Sequence, residues 1–100
     1  MVQFELGTVT MSDGVFNKAM EDLSFAMFVL ESLELYKQGK WGASELDSKL
    51  NDWAVECGDY ISTGYNHLGQ PIIWIITKQN RSATTILFPH EYGAMRNHIL

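Results

Sequence analysis

The stretch PIIWIITKQNRSATTILF, residues 71–88, limits what this chain can fold into more than any other. A strand with one wet face alternates apolar and polar side chains. Here Ile72, Trp74 and Ile76 take one face and Ile73 and Ile75 the other, so the expectation is a central strand covered on both sides. A polar turn carrying Arg81 follows, and a second apolar run closes with Ile86, Leu87 and Phe88.

Period-two patterning extends to either side. Residues 60–67 read as a strand, Gly69 marks a turn, and Pro71 opens the central strand where a missing N–H matters least. Residues 82–88 read as a third strand, stopped by Pro89. Short turns between the three make an antiparallel meander. Residues 2–11 add a short N-terminal strand region, with Phe4, Leu6, Val9 and Met11 at period two and Gly7 as a bulge or turn.

Between them lies helical sequence. A brief helix over 15–21 is capped by Ser12 or Asp13, and a longer one over 24–38 starts at Asp22 or Ser24 and ends at Gly39. The longer helix is apolar all round in its first half, which predicts burial at its start and solvent at its end. Ser44, three residues before Asp47, opens a third helix, and Gly58 ends it. Leu46, Leu50, Trp53, Ala54 and Cys57 form one stripe of that helix, expected to face the core. Trp41 is expected to close one end of the core. The class is α+β: a three-stranded meander plus the N-terminal strand, packed against two to three helices.

At 100 residues the chain is expected to be one domain, with a helical acidic part over 12–58, the meander over 60–88 and a tail over 93–100. No apolar run approaches the ~20 residues of a membrane span and no leader pattern opens the chain, so the expected location is cytoplasmic. Cys57 is alone, so neither an internal disulfide nor a Cys pair for zinc is available; a buried thiol is expected. The net charge of −5 is unevenly spread: residues 1–59 hold 11 acids and 4 bases, residues 60–100 one acid and 3 bases. The first part would repel phosphates, which argues against direct nucleic-acid binding there.

The ligand types His67, His90, His98, Glu91 and Asp59 have no metal-site spacing. No nucleophile elbow, phosphate loop or dinucleotide fingerprint occurs, so no metal and no cofactor is expected. Two sets of polar residues remain. Arg81, Ser82, Thr84 and Thr85, beside Thr77, Lys78 and Asn80, could hold a phosphate or carboxylate, with His90 or His67 as acid–base in a small enzyme. In the plainer reading these residues only make the turn, and Arg81 pairs with a helical acid. Glu31, Glu34, Glu45, Asp47, Asp52 and Glu56 form the other set: the solvated sides of two helices, or an anionic face that competes for a nucleic-acid groove on a basic partner.

Lys40-Trp41-Gly42, Asp47-Ser48-Lys49-Leu50-Asn51, Trp74-Ile75-Ile76-Thr77, Arg81-Ser82-Ala83-Thr84-Thr85-Ile86-Leu87 and Glu91-Tyr92 together resemble a family of small bacterial proteins. Its members are carried on plasmids, phages and other mobile elements and are sometimes loosely labelled restriction-system subunits. The resemblance spans about residues 4–92. It departs after Thr77, where the family pattern has an acid and this chain has Lys78-Gln79-Asn80, and at residues 93–100, which extend beyond the family's usual end. The resemblance implies a mobile-element setting and no mechanism.

The leading expectation is therefore a non-enzymatic binding protein of a mobile element that inhibits a host defence complex, of the anti-CRISPR or anti-restriction type. Its partner would be a basic, nucleic-acid-binding host complex, met through the acidic face. The alternatives are the small enzyme or ligand-binding domain at Arg81 and a self-associating module, a homodimer, built on surplus aromatic surface.

Overall fold

The computed structural model describes residues 4–93. It is α+β, with strand β1 (Thr8–Met11), helices α1 (Asp13–Glu21), α2 (Leu23–Lys37) and α3 (Glu45–Cys57), then strands β2 (Ile61–His67), β3 (Gln70–Thr77) and β4 (Ala83–Leu87), and a 3-10 turn at Pro89–Glu91. The sheet has four strands in the order β1-β4-β3-β2. β2, β3 and β4 form the antiparallel meander, with Ile75 opposite both Thr63 and Ile86. β1 pairs parallel with β4, Val9 opposite Thr84, so the sheet is mixed, and the N-terminal strand is shorter than its sequence suggests. Ahead of it Gly7 takes a left-handed backbone at φ 64°, and a Cβ there would collide with the Ser82 backbone.

Local chemistry sets the helix ends. Ser12, Asp22 and Ser44 each accept a backbone N–H of the following first turn, from Val15, Phe25 and Asp47. Gly58, at φ 81°, ends α3 by returning its N–H to Ala54 O.

The core lies between the helices and one face of the sheet. Val15, Phe25, Phe28, Val29, Tyr36 and Ala54 from the helices meet Ile61, Tyr65, Ile73, Ile75 and Ile86 from the strands. Four expectations change here. The other face of β3 is not fully covered: Trp74 and Ile76 are half-buried and Ile72 is exposed, with Tyr92 edge-on to Trp74 at 5.6 Å between centroids. α2 is buried along one side for its whole length, down to Ser32 and Tyr36, while Leu23, Met27 and Leu30 in its first half face water. α3 is rolled by roughly a third of a turn at 100° per residue from the expected orientation. Its buried residues are Asn51 and Ala54, whereas Leu46, Leu50 and Trp53 are exposed. Cys57 shares that outward stripe and is exposed, so the expected buried thiol is corrected.

The roll has identifiable causes. Ala54 is small enough to bring α3 close to β2, and two side chains pin the helix from outside. Trp41 Nε1 donates to Asp52 at 2.9 Å, and the Arg81 guanidinium donates to Ala54 O at 3.0 Å. Trp41 also packs on Tyr36 and Phe4 at the margin of the core.

A chain of hydroxyls crosses the core. Tyr36 Oη lies 2.8 Å from Thr77 Oγ1 and 3.3 Å from Ile61 O; Thr77 Oγ1 lies 2.7 Å from Thr84 Oγ1, which lies 2.7 Å from Leu6 O. A carbonyl only accepts, so Thr84 donates to Leu6 and must accept from Thr77. Thr77 in turn accepts from Tyr36, whose proton is shared with Ile61 O. The chain runs one way, from α2 through β3 and β4 to the segment before β1.

Candidate functional site

The structure separates the residues of the Arg81 set. The hairpin turn puts Arg81 in the left-handed region at φ 59°, and its guanidinium donates to Asp59 O, Lys78 O and Ala54 O. The fork therefore ties the β3–β4 turn to the C-terminal end of α3, where a cation meets the negative end of the helix dipole favourably and joins the Gly58 and Asp59 N–H groups on Ala54 O. Its partners are backbone oxygens and not an acid side chain. Ser82 is exposed, its N–H taken by Asn80 Oδ1. Thr84 is fully buried in the hydroxyl chain, and Thr85 lies on the outer sheet face beside Thr10. Among the described residues no three of His, Cys, Asp and Glu come together; His98 lies outside them.

The acidic set divides by helix. Glu31 and Glu34 are exposed on α2, which leans on β3, and Glu34 reaches Lys37 at 3.1 Å. α3 leans on β2, with Glu45, Asp52 and Glu56 along one side. Glu45 and Glu56 are exposed; Asp52 is half-buried by its bond to Trp41. Asp47 stands apart on the opposite side of α3, over a cleft.

That cleft was not legible in the sequence. It has a volume of about 600 Å³ and opens between α3 and the edge strand β2, walled by Asp47, Leu50, Asn51 and Trp53 on one side and by Asp59, Tyr60, Ser62, Thr63 and Gly64 on the other. A second groove of about 300 Å³ lies across the strand on the outer face, floored by Trp74 and Ile76 and bounded by Tyr60 and Tyr92. Both hollows share Tyr60, Ser62, Thr63 and Gly64, so the edge of β2 stands as a ridge between them. Glycine makes this possible at residue 64, where a Cβ would press on the Trp74 indole lying across it. Thr63 Oγ1 is the buried side-chain polar atom left without a hydrogen-bond partner among the described residues. At the mouth, Asp59 is held below the usual carboxylate range by the Gln79 amide and the Tyr60 N–H.

The third feature is apolar surface. α2 shows Leu23, Met27 and Leu30 to water, at 75, 53 and 64% exposure, and α1 adds Phe16 and Met20. α3 shows Leu46, Leu50 and Trp53 at the same four-then-three spacing. Both helices thus carry large apolar side chains on an outward side as well as on the core side.

Fold and surface together define the class: a small α+β domain with apolar, acid-flanked helices and an open strand edge. No protein-family model, curated protein or solved structure matches the chain. No helix among the described residues is long and apolar enough to cross a membrane.

Proposed function

We propose that the chain is a non-enzymatic protein-binding domain whose helical layer docks on a basic partner. The observation that carries this is the exposure of Leu23, Met27 and Leu30 on α2 and of Leu46, Leu50 and Trp53 on α3, beside the acids Glu31, Glu34, Glu45 and Glu56. Large apolar side chains supply contact energy, and flanking acids select a positively charged surface. The resemblance to mobile-element proteins supports the finer reading, an inhibitor of a host defence complex that occupies a nucleic-acid groove. The Arg81 reading has less support, because the guanidinium already serves three carbonyls.

The test is phage plating and plasmid transformation in bacteria carrying a defined restriction or CRISPR system, with and without the chain. The expected result is higher efficiency for one system, lost when Glu31, Glu34, Glu45 and Glu56 are changed together to Lys. Asp52 is left alone because it holds Trp41. An effect equally strong in the charge-reversed chain refutes the acidic face. Self-association is a second reading favoured by the α2 stripe alone. Sedimentation would show a dimer that Met27→Glu with Leu30→Glu dissolves.

A further inference from the structure

We propose that the free edge of β2, at residues 60–63, is a docking site for an extended peptide strand whose side chains alternate basic and apolar. This does not rest on the helical-surface reading above, although Leu50 and Trp53 of α3 border both surfaces.

The edge comes first. In an antiparallel pair, alternate residues turn both backbone groups toward the partner strand and the residues between turn them away. A Cβ on Gly42 would collide with the Gly64 carbonyl, which places that carbonyl on the outward side of β2. Ser62, two residues earlier, then presents its N–H and C=O outward as well. Sheets usually protect such edges with bulges, prolines, lysines or a covering loop. β2 has these defences at its far end only: the register shifts between Tyr65 and His67, and the Gly42 loop covers Gly64, held by Tyr65 Oη donating to Lys40 O at 2.9 Å. At the opposite margin of the sheet, β1 is four residues long. Over residues 60–63 the N–H and C=O of Ser62 and the C=O of Tyr60 face outward without these defences, while the Tyr60 N–H is taken by Asp59 Oδ1.

The second observation is what lies on either side. A strand added to this edge would send successive side chains to opposite faces, one into the α3–β2 cleft and the next into the outer groove. The two hollows differ in chemistry. The cleft carries the Asp47 and Asp59 carboxylates, the Asn51 amide and the apolar sides of Leu50 and Trp53, which suits a lysine or arginine with its stem along the apolar wall and its head at the acids. The outer groove is floored by Trp74 and Ile76 and suits an aliphatic or aromatic side chain. Thr63, with its unpartnered hydroxyl, lines both. Backbone pairing would supply affinity and the two hollows the sequence preference.

The probe is a fluorescein-labelled Val-Lys-Val-Lys-Val peptide, titrated into the whole protein and read by polarisation and by amide exchange in NMR. The expected result is saturable binding with slowed exchange of the Ser62 N–H. Binding should fall about tenfold or more for Val-Glu-Val-Glu-Val and for a Lys peptide N-methylated at its central residue. Asp47→Asn, at an exposed position outside the core, should weaken the Lys peptide several-fold with unchanged thermal unfolding. No binding of the Lys peptide, equal binding of the N-methylated one, or an unprotected Ser62 amide at saturation overturns the proposal. So does protection of Ser62 that rises with protein concentration alone, which would assign the edge to a second copy.

Discussion

Replacing Thr84 with valine keeps its shape and removes its hydroxyl, which makes it a direct test of the one-way hydroxyl chain through the core. The variant leaves Leu6 O without its donor, and the Thr77 proton finds an acceptor only by reversing its bond to Tyr36, which then donates to Ile61 O alone at 3.3 Å. Losing the buried Thr77–Thr84 bond costs about 1 kcal/mol, and stranding the Leu6 carbonyl about 1–2 kcal/mol more. The extra methyl returns under ~1 kcal/mol of transfer energy. The net loss is about 2 kcal/mol, a large share of the ~5–15 kcal/mol that holds a domain of this size together. Thr77→Val should cost less, about 1–2 kcal/mol, because Tyr36 retains Ile61 O and Thr84 still donates to Leu6. Tyr36→Phe should cost least of the three, about 1 kcal/mol, since it takes a donor from Thr77 and strands no proton. Urea unfolding of the three variants, with unchanged denaturant slopes, measures the series. If Tyr36→Phe is as damaging as Thr84→Val, the direction of the chain is wrong.

Three further outcomes are expected. Burial pushes the phenols of Tyr36 and Tyr65 above their ordinary value, so their stabilisation is complete below about pH 10 and drains away as pH rises beyond it; alkaline unfolding followed by circular dichroism should move to higher pH in Tyr65→Phe. Burial would raise Glu91, but the Ser12 hydroxyl, the Phe88 and Gly14 N–H groups and nearby His90 outweigh it and hold the carboxyl below its usual value. That stability is present above about pH 4.3 and lost as pH falls through the folded value, so Glu91→Gln should flatten the acid limb of a stability-against-pH curve. Arg81→Lys keeps the charge and loses the planar fork to three carbonyls, and should lower stability by about 1–2 kcal/mol in the same urea assay.

Local signals in the sequence were reliable where a single residue type decides the backbone. The caps at Ser44 and Gly58, the strand at Ile73 and Ile75 and the turn before Arg81 are all legible because each depends on near neighbours. The roll of α3 is not. Its strongest apolar stripe suggests one core face, while its contacts to Trp41 and Arg81, both outside the helix, impose another. The exposed Cys57 follows from the same roll. Nor does periodicity reveal that β1 runs parallel to β4, or that the edge of β2 stands between two hollows, because both arise from packing of distant segments.

The partnership of β1 with β4 governs when this protein can finish folding. Thr10 and Thr85 are 75 residues apart, and Ser12 and Glu91 are 79 apart. Long separations slow closure, while the β2–β3–β4 hairpins pair locally and fast. During synthesis at about 5–20 residues per second, β1 is made roughly 4–15 seconds before its partner strand. In that interval β1 has no strand to join, and the carboxylate that will hold the Ser12 hydroxyl has yet to be made. β1, though made before β4, is thus among the last elements locked in place, and the synthesis of β4 and Glu91, more than collapse of the core, sets the moment at which the native sheet closes.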